Sequence, residues 1–341
     1  MGGNLFRFPR MPRDRYIVVD ARVRAALREH MGTEGVDWAV PRWYGDKADF
    51  GDMDVLLASS QGWLDRRDAL VQALSLRRPG DPEIVAEPRR AGNVLSLPVC
   101  GLQVDFFSFA PDELQSAWSF MCFNDIGNLV GRIARGFNAK FGDTGLSYVW
   151  RSADGACTHD VLLTRDFSRV CAFLDLDHAV WLRGFQARVD MFEWVTGSRY
   201  FSVAPYLDDT PTRSHVLRRN RGRTTITAFG TWLVETRQVA RPALPDRRSP
   251  EHVVALDRAF PEADLPGALG RLQAAEDRAH LLHERFSGHR VMALCPELLG
   301  RELGEFMAGF RRARPDFDEW LLMTDQADID AAIMQACVLS A

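Results

Sequence analysis

The stretch from Tyr44 to Leu57 constrains the fold of this chain more than any other part of its sequence. A glycine turn at Gly45 leads into two aspartates, Asp52 and Asp54, which are separated by one residue and followed by an apolar run. Residues i and i+2 of a β-strand point to the same side, so both carboxylates would project from one face, about 7 Å apart along the strand. The alternative is a surface loop with scattered acids.

Two acids on one face of a buried strand repel each other and are costly to leave unpaired. A divalent cation removes that cost, and an oxygen-rich site of this kind suits Mg²⁺, which often also takes substrate phosphates as ligands. The strand therefore predicts a metal site. A second Asp-x-Asp, formed by Asp175 and Asp177, lies between two helical patterns, and Asp177 is better interpreted as a helix N-cap.

A third aspartate lies in a later apolar segment. Residues 94–109 have the pattern of a β-hairpin, and Asp105 stands in its second arm between two apolar residues. A charged residue in the middle of a nearly continuous buried strand is difficult to explain by packing. The other interpretation is an acid on the solvent face of an edge strand. Residues 146–150 and 159–164 have the pattern of two more strands, which we expect to complete the same mixed sheet.

A glycine-containing turn, an Asp-x-Asp strand and one Asp on a later strand resemble the signature of the polymerase-β-type nucleotidyltransferase superfamily. Within it, the chain is similar to phage, giant-virus and microbial nucleotidyltransferases that begin Gly-Gly-Asn-x-Phe and carry a Gly-Asp-(Ile/Leu/Met)-Asp strand. Both motifs are present here, the first from Gly2 and the second from Gly51. The chain departs from the superfamily at the turn, where Gly45 precedes Asp46 instead of the usual Ser or Gly.

The resemblance implies a metal-dependent nucleotidyltransferase. Asp52 and Asp54 would hold two Mg²⁺ (or Mn²⁺) ions, and Asp105 would share one of them and help to deprotonate an attacking hydroxyl. One ion would lower the pKa of that hydroxyl, and the other would neutralise the phosphates of a nucleoside triphosphate and the pyrophosphate leaving group.

The expected fold class is α+β. A small mixed β-sheet flanked by helices (the nucleotidyltransferase fold) would form a catalytic domain over residues 1–165. A mainly α-helical domain over residues 166–341 would serve acceptor binding or nucleotide closure. The length of 341 residues agrees with about two domains.

Further residues are candidates for nucleotide contacts. Lysine occurs only at Lys47 and Lys140, although Lys and Arg together number 42, and a helical pattern over residues 123–140 would flank the nucleotide in the resembling family. A frayed terminus and a solvated helix face are the alternatives. The candidates are Gly2, Gly3, Asn4, Gly45, Asp46, Lys47, Asn124, Asn128, Arg132 and Lys140.

An arginine-rich stretch is the best local candidate for binding a triphosphate or an RNA backbone, because guanidinium groups match phosphate oxygens. A solvated basic loop is the alternative. The net charge of −4 argues against a general polyanion binder, so any contact with RNA needs such a local patch. Its members are Arg213, Arg218, Arg219, Arg221 and Arg223.

The remaining composition is that of an ordinary globular protein, with 46% hydrophobic and 26% charged residues. No apolar run approaches the roughly 18 residues needed to span a bilayer, and the first residues have no signal-peptide core. These features predict a cytoplasmic location and no membrane partner. The six cysteines are scattered without a Cys-x-x-Cys pair and are expected to be reduced.

Three functions fit these observations. The first is transfer of a nucleoside monophosphate to the 3′ end of a tRNA-like RNA or an oligonucleotide. The second is the same reaction with a protein side chain or a small molecule as acceptor, which the slightly acidic charge favours. The third is nucleotide or partner binding without catalysis, which the unusual turn keeps open. The sequence leaves the nucleotide, the need for a template and the oligomeric state undetermined.

Overall fold

The computed structural model describes residues 5–59, 63–76, 87–155, 157–203, 206, 224–236 and 249–340. Its strands are β1 (Met11–Pro12), β2 (Trp38–Ala39), β3 (Asp49–Phe50), β4 (Asp52–Ala58), β5 (Arg89–Ala91), β6 (Val94–Val99), β7 (Leu102–Phe109), β8 (Ala139–Gly142), β9 (Gly145–Arg151) and β10 (Thr158–Thr164).

The α-helices fall between these strands and after them. They are α1 (Arg13–His30), α2 (Trp63–Ser75), α3 (Leu114–Met121), α4 (Ile126–Ala134), α5 (Phe167–Phe173), α6 (His178–Arg183), α7 (Arg188–Gly197), α8 (Thr224–Glu235), α9 (Pro250–Ala259), α10 (Leu265–Arg285), α11 (Gly288–Leu294), α12 (Gly300–Arg312), α13 (Phe317–Met323) and α14 (Gln326–Ser340).

The largest sheet has the strand order β2-β4-β7-β6-β5. Strands β4 and β7 are parallel, whereas the other neighbours are antiparallel, so the sheet is mixed. Strand β4 is an interior strand, paired on both sides, and its apolar half from Val55 to Leu57 is fully buried. The predicted α+β class, with a mixed sheet flanked by helices and a helical C-terminal region, is confirmed.

Helices cover both faces of this sheet. Helix α1 presents Val19, Val23 and Leu27 at helical spacing to one face, where they join the alternate strand residues Val55 and Val104 in a core that α2 completes. Helix α3 covers the other face at the far ends of β4 and β7, where it packs on Leu56, Ala58 and Phe109. The two faces of the sheet differ, because the face that α3 covers is apolar only along half the length of β4 and β7.

The strands predicted to complete this sheet lie elsewhere. Strands β8, β9 and β10 form a separate sheet in the order β10-β9-β8. The expectation of one sheet was wrong because β8 and β9 pair locally across the short turn between Gly142 and Gly145. Local pairing of this kind satisfies the backbone groups of β9 without any contribution from the main sheet.

The chain divides into two compact units, one comprising Met1–Trp150 with His159–Leu265 and the other comprising Arg151–Thr158 with Pro266–Ala341. The division of roles between residues 1–165 and 166–341 stays a prediction. In the second unit, helices α10–α14 enclose an apolar cluster that includes Phe286 and Phe310. Among the described helices, none combines the length and the apolar character that crossing a membrane requires.

A disulfide joins Cys295 and Cys337 within that cluster. The expectation that every cysteine is reduced was therefore wrong for this pair. The two residues are 42 positions apart and meet because α11 and α14 pack side by side, with a Cα–Cα distance of 6.6 Å. The N-cap interpretation of Asp177 is confirmed, since its carboxylate accepts the N–H groups of Ala179 and Val180 at 2.8 and 3.1 Å.

Gly127 allows α3 and α4 to approach closely, and this packing predicts a stability effect. A Cβ at Gly127 would overlap the carbonyl oxygen of Phe120. The substitution Gly127→Ala is therefore expected to lower the free energy of unfolding by about 1–3 kcal/mol, the usual range for overpacking. Urea denaturation followed by circular dichroism measures it.

The matched control is Gly197→Ala at the end of α7, where a Cβ meets nothing within 4 Å. This change is expected to be neutral or slightly stabilising because alanine favours helix. Equal stability of the two variants would contradict the packing argument.

Candidate active site

The parallel pairing of β4 with β7 brings the three predicted acids together. Asp54 is in register with Asp105, and Asp52 is in register with Gln103. One carboxylate oxygen from each of the three aspartates lies within 4.8 Å of the others. Residues that are about 50 positions apart in the sequence therefore form one cluster.

The period-2 alternation of the strands explains why this cluster lies on one face. The side chains on that face change from polar to apolar along both strands, and α3 covers only the apolar end. The polar end of that face, which carries the aspartates, is therefore not covered by α3. The side chains in question are Asp52, Asp54, Leu56 and Ala58 on β4, and Gln103, Asp105, Phe107 and Phe109 on β7.

Two neighbours that the sequence analysis did not single out hold Asp105. Its Oδ1 accepts a hydrogen bond from Ser96 Oγ at 2.5 Å and from Gln103 Nε2 at 3.0 Å, and its Oδ2 accepts from Gln103 Nε2 at 2.8 Å. The side chain of Asp105 is only 8% exposed. The signals for these partners were present: Gln103 precedes Asp105 by two residues, and Ser96 stands in the opposite arm of the hairpin.

The three acids repel one another in a poorly solvated place. Burial, with the charges of Asp52 and Asp105 as the next causes, raises the pKa of Asp54 to about 8. Burial and the charge of Asp105 also raise the pKa of Asp52. A divalent cation would remove this cost, and the donor set fits one because it consists entirely of carboxylate oxygens, the ligands that Mg²⁺ and Mn²⁺ prefer.

Asp52 and Asp54 lie on the wall of a cavity of about 1300 Å³ within the first unit. The rest of the wall comes from the residues around β3, the turn between α3 and α4, the first turns of α7 and one side of α8. Aromatic rings and hydroxyl groups also line the cavity. They include Trp43, Thr225, Thr231 and Trp232.

Lys47 is the basic residue that the sequence placed next to the acids, and it lines the cavity. Its Nζ donates to Asn124 Oδ1 at 3.0 Å and lies 4.4 Å from the centroid of the Phe50 ring. Burial lowers the pKa of Lys47, and the charge of Asp52 opposes that shift. Asn124 reaches it from a turn in which Phe123 and Asn124 both adopt left-handed backbone, with φ of 56° and 60°.

Two arginines of the cavity wall were not among the sequence candidates. Arg10 lies near the acids, and its Nε is 2.8 Å from Asp49 Oδ1. Arg188 begins α7 and is half-buried, yet no carboxylate of the described ranges lies within ion-pair distance of it. A half-buried guanidinium without an acidic partner is suited to an anionic ligand. Nothing near Arg188 in the sequence distinguishes it from the other arginines of this arginine-rich chain.

The turn at Gly45 and Asp46 lies beside the cavity, but its backbone donors have partners. The N–H groups of Gly45 and Asp46 donate to the carbonyl oxygens of Phe185 and Gln186 at 2.9 and 2.7 Å. A Cβ at Gly45 would lie 3.0 Å from the Gln186 carbonyl oxygen, so the glycine permits this close backbone contact. In this arrangement the two N–H groups are not free to bind a phosphate.

The helix candidates separate into two groups. Asn128 lines the cavity, and its Nδ2 donates to Asp125 Oδ1 at 3.3 Å. Arg132 and Lys140 do not line it: the Arg132 guanidinium lies over the Tyr206 ring at 5.0 Å, and Lys140 Nζ is 2.8 Å from Asp160 Oδ2. Their role in nucleotide binding stays a prediction.

Eight candidates lie outside the described residues, so the structure gives no account of them. They are Gly2, Gly3, Asn4, Arg213, Arg218, Arg219, Arg221 and Arg223.

No protein-family model and no curated protein sequence matches the chain. Among solved structures, Leishmania infantum polymerase beta in a ternary gap complex is similar over 43% of this chain and 54% of its own, with 14% identity and a TM-score of 0.32. The same polymerase in a ternary P/T complex is similar over 43% and 61%, with 14% identity and a TM-score of 0.29.

The chain thus spans about half to three fifths of the length of these polymerase chains. Similarity this low does not transfer an activity, so the chemistry rests on the side chains themselves. The resemblance to the Gly-Gly-Asn-x-Phe group stays a prediction.

The repulsion among the acids predicts how the stability of the metal-free protein depends on pH. Because the pKa of Asp54 is raised from 3.8 to about 8, the native state binds this proton more tightly than the unfolded state does, and stability falls as pH rises through that range. The substitution Asp54→Asn is expected to raise the free energy of unfolding in EDTA at pH 8 by about 1–3 kcal/mol, and therefore the Tm by several degrees. The increase should be smaller at pH 5. Calorimetry at the two pH values measures this.

Mg²⁺ or Mn²⁺ is expected to raise the Tm of the parent at pH 8 and to leave that of Asp54→Asn unchanged. Glu235→Gln is a matched control, because Glu235 is an acid of the cavity wall that lies outside the cluster, and it should retain the response. The metal site would be contradicted if neither cation changed the Tm of the parent. It would also be contradicted if Asp54→Asn were less stable than the parent in EDTA at pH 8.

Proposed function

We propose that this chain transfers a nucleoside monophosphate from a nucleoside triphosphate to an acceptor hydroxyl and releases pyrophosphate. The observation that carries the proposal is the convergence of Asp52, Asp54 and Asp105, whose oxygens lie within 4.8 Å of one another. Asp52 and Asp54 line a cavity of about 1300 Å³, which is above the usual volume of pockets for drug-sized ligands.

The three aspartates would hold Mg²⁺ or Mn²⁺, and two ions are part of the proposal. When bound, such cations lower the pKa of a coordinated hydroxyl and neutralise charge on the phosphates and on the leaving group. Among the protein groups, Asp105 is the most constrained, since Ser96 and Gln103 fix its carboxylate. We assign it the additional role of accepting the proton of the attacking hydroxyl.

The basic groups of the cavity would bind the triphosphate. Lys47 lines the same cavity as Asp52 and Asp54, and the charges of both aspartates raise its pKa against the larger lowering effect of burial. Arg10 and Arg188 bring two guanidinium groups to the same cavity. Within the described part of the chain Arg188 pairs with no carboxylate, so its N–H groups could bind phosphate. Charge-assisted hydrogen bonds from these groups would orient the phosphates without contributing to base choice.

The nucleoside would lie against aromatic rings of the cavity wall. Trp43 and Trp232 offer ring surfaces for a base, and Asn128 offers an amide for a ribose hydroxyl. Thr225 and Thr231 add hydroxyl groups on the same helix. The cavity wall thus offers charged groups for the phosphates and rings with polar groups for the nucleoside, the two chemical halves of a nucleotide.

For the acceptor we propose the 3′ end of an RNA or oligonucleotide, supported by the sequence of the arginine-rich stretch from Arg213 to Arg223. A protein side chain or a small molecule is the second candidate, and the net charge of −4 favours it. Binding without catalysis explains the closely spaced trio less well, because repelling acids destabilise a protein that has no use for a cation.

A transfer assay tests this function. The parent is incubated with Mg²⁺ or Mn²⁺ and each α-labelled nucleoside triphosphate in turn, with and without bulk tRNA. We expect label on RNA, and a rate at least roughly 10³-fold lower for Asp54→Asn, because the acids act as a unit. Label on protein or on a small molecule would support the second acceptor class. Absence of transfer under every condition, or an Asp54→Asn protein as active as the parent, overturns the proposal.

The role of Arg188 gives a separate prediction about substrate affinity. Loss of one charge-assisted contact to phosphate removes about 1.5–3 kcal/mol, so Arg188→Ala is expected to raise the KM for the nucleoside triphosphate roughly 10- to 100-fold. Initial rates at varied nucleotide concentration measure it. The control is Arg183→Ala, since Arg183 is exposed at the end of α6 and does not line the cavity. An unchanged KM in both variants would remove Arg188 from the site.

A further inference from the structure

A short series of hydrogen bonds connects the backbone of Leu5 to the carboxylate of Asp105. Gln103 lies between them: its Oε1 accepts the N–H of Leu5 at 3.0 Å, and its Nε2 donates to both oxygens of Asp105 at 3.0 and 2.8 Å. Leu5 and Gln103 are 98 positions apart in the chain. The contact therefore fixes the start of the described chain to the middle of the main sheet.

Gln103 is well placed to orient its neighbour. It is 5% exposed, and it stands two residues before Asp105 on β7, so both side chains leave the strand on the same face. Ser96 Oγ approaches Asp105 from the adjacent strand β6. The carboxylate is thus held by two partners, and one of its oxygens lies within 4.8 Å of oxygens of Asp52 and Asp54.

The two ends of the Gln103 amide determine its orientation together. A carboxamide presents two N–H donors on one side and an acceptor oxygen on the other. If the amide of Gln103 turned by half a rotation, its oxygen would face the Asp105 carboxylate and its N–H groups would face the Leu5 N–H. Both contacts would become repulsive, and buried polar groups would lose their partners. The N–H of Leu5 therefore selects the orientation in which Gln103 donates to Asp105.

We infer that Gln103 is a positioning residue for the metal-binding trio, and that the backbone N–H of Leu5 sets its orientation. The inference rests on the proposed function, because it assigns Asp105 as a metal ligand. Partners that orient a ligating carboxylate typically contribute 10- to 100-fold to metal affinity or activity. The backbone of Leu5 thereby acts on the trio only through Gln103, while the Leu5 side chain is 46% exposed.

The test removes the backbone N–H of Leu5, the first donor in the hydrogen bonds that join Leu5, Gln103 and Asp105. Leu5→Pro lacks the backbone N–H, whereas the matched control Leu5→Ala keeps it and changes only a side chain that is 46% exposed. The dissociation constant for Mn²⁺ alone, measured by isothermal titration calorimetry, is the readout because it does not depend on turnover. We expect Leu5→Pro to weaken Mn²⁺ binding roughly 10-fold or more, and Leu5→Ala to match the parent.

Gln103→Met provides the second arm, because methionine has a similar length but neither donates to Asp105 nor accepts from Leu5 strongly. We expect a loss of Mn²⁺ affinity of roughly 10- to 100-fold. The double variant Leu5→Pro/Gln103→Met should lose no more than Gln103→Met alone, because both changes act through one amide. Circular dichroism and the Tm in EDTA identify any variant that has unfolded.

The outcomes separate the inference from the function on which it rests. If the parent binds Mn²⁺ and transfers nucleotide but Leu5→Pro binds the ion as Leu5→Ala does, the inference is overturned and the function stands. Additive losses in the double variant also overturn it, since they indicate two independent structural effects. If the parent neither binds Mn²⁺ nor transfers nucleotide, the proposed function fails first.

Discussion

The parallel pairing of β4 with β7 is the interaction on which the rest of the site depends. Its register sets Asp54 beside Asp105 and Asp52 beside Gln103. A shift of one residue would turn one strand's polar side chains toward the core formed by α1 and α2 and would bring apolar side chains to the cavity. Burial of Val55, Leu57 and Val104 on that opposite face therefore fixes the position of the acids.

The same pairing creates an electrostatic conflict that the fold tolerates. Burial and mutual repulsion raise the pKa values of Asp52 and Asp54, and the ammonium group of Lys47, whose own pKa is lowered by burial, opposes these shifts. Functional sites are the places where proteins accept such local conflicts, because a ligand resolves them. The well-packed apolar half of each strand supplies the stability that the polar half lacks.

The sequence predicted what depends on local patterns. Spacing alone indicated the strand that carries Asp52 and Asp54, the hairpin that contains Asp105, and Asp177 as an N-cap, because each follows from residues within a few positions. It did not indicate Gln103, Arg188 or the Cys295–Cys337 pair, since their roles arise from contacts between distant segments. The separate sheet of β8, β9 and β10 was missed for the same reason: strand patterns do not state which partner a strand takes.

The two hydrogen bonds from Gly45 and Asp46 to Phe185 and Gln186 have a mechanical consequence. They attach the turn that carries Lys47 to the residues just before Arg188, so these two basic residues of the cavity wall are joined by a short stretch of hydrogen-bonded backbone. A displacement of α7 toward a bound anion would be transmitted to the lysine through main-chain atoms. A movement of that backbone would thus reach both residues, although they are about 140 positions apart in the sequence.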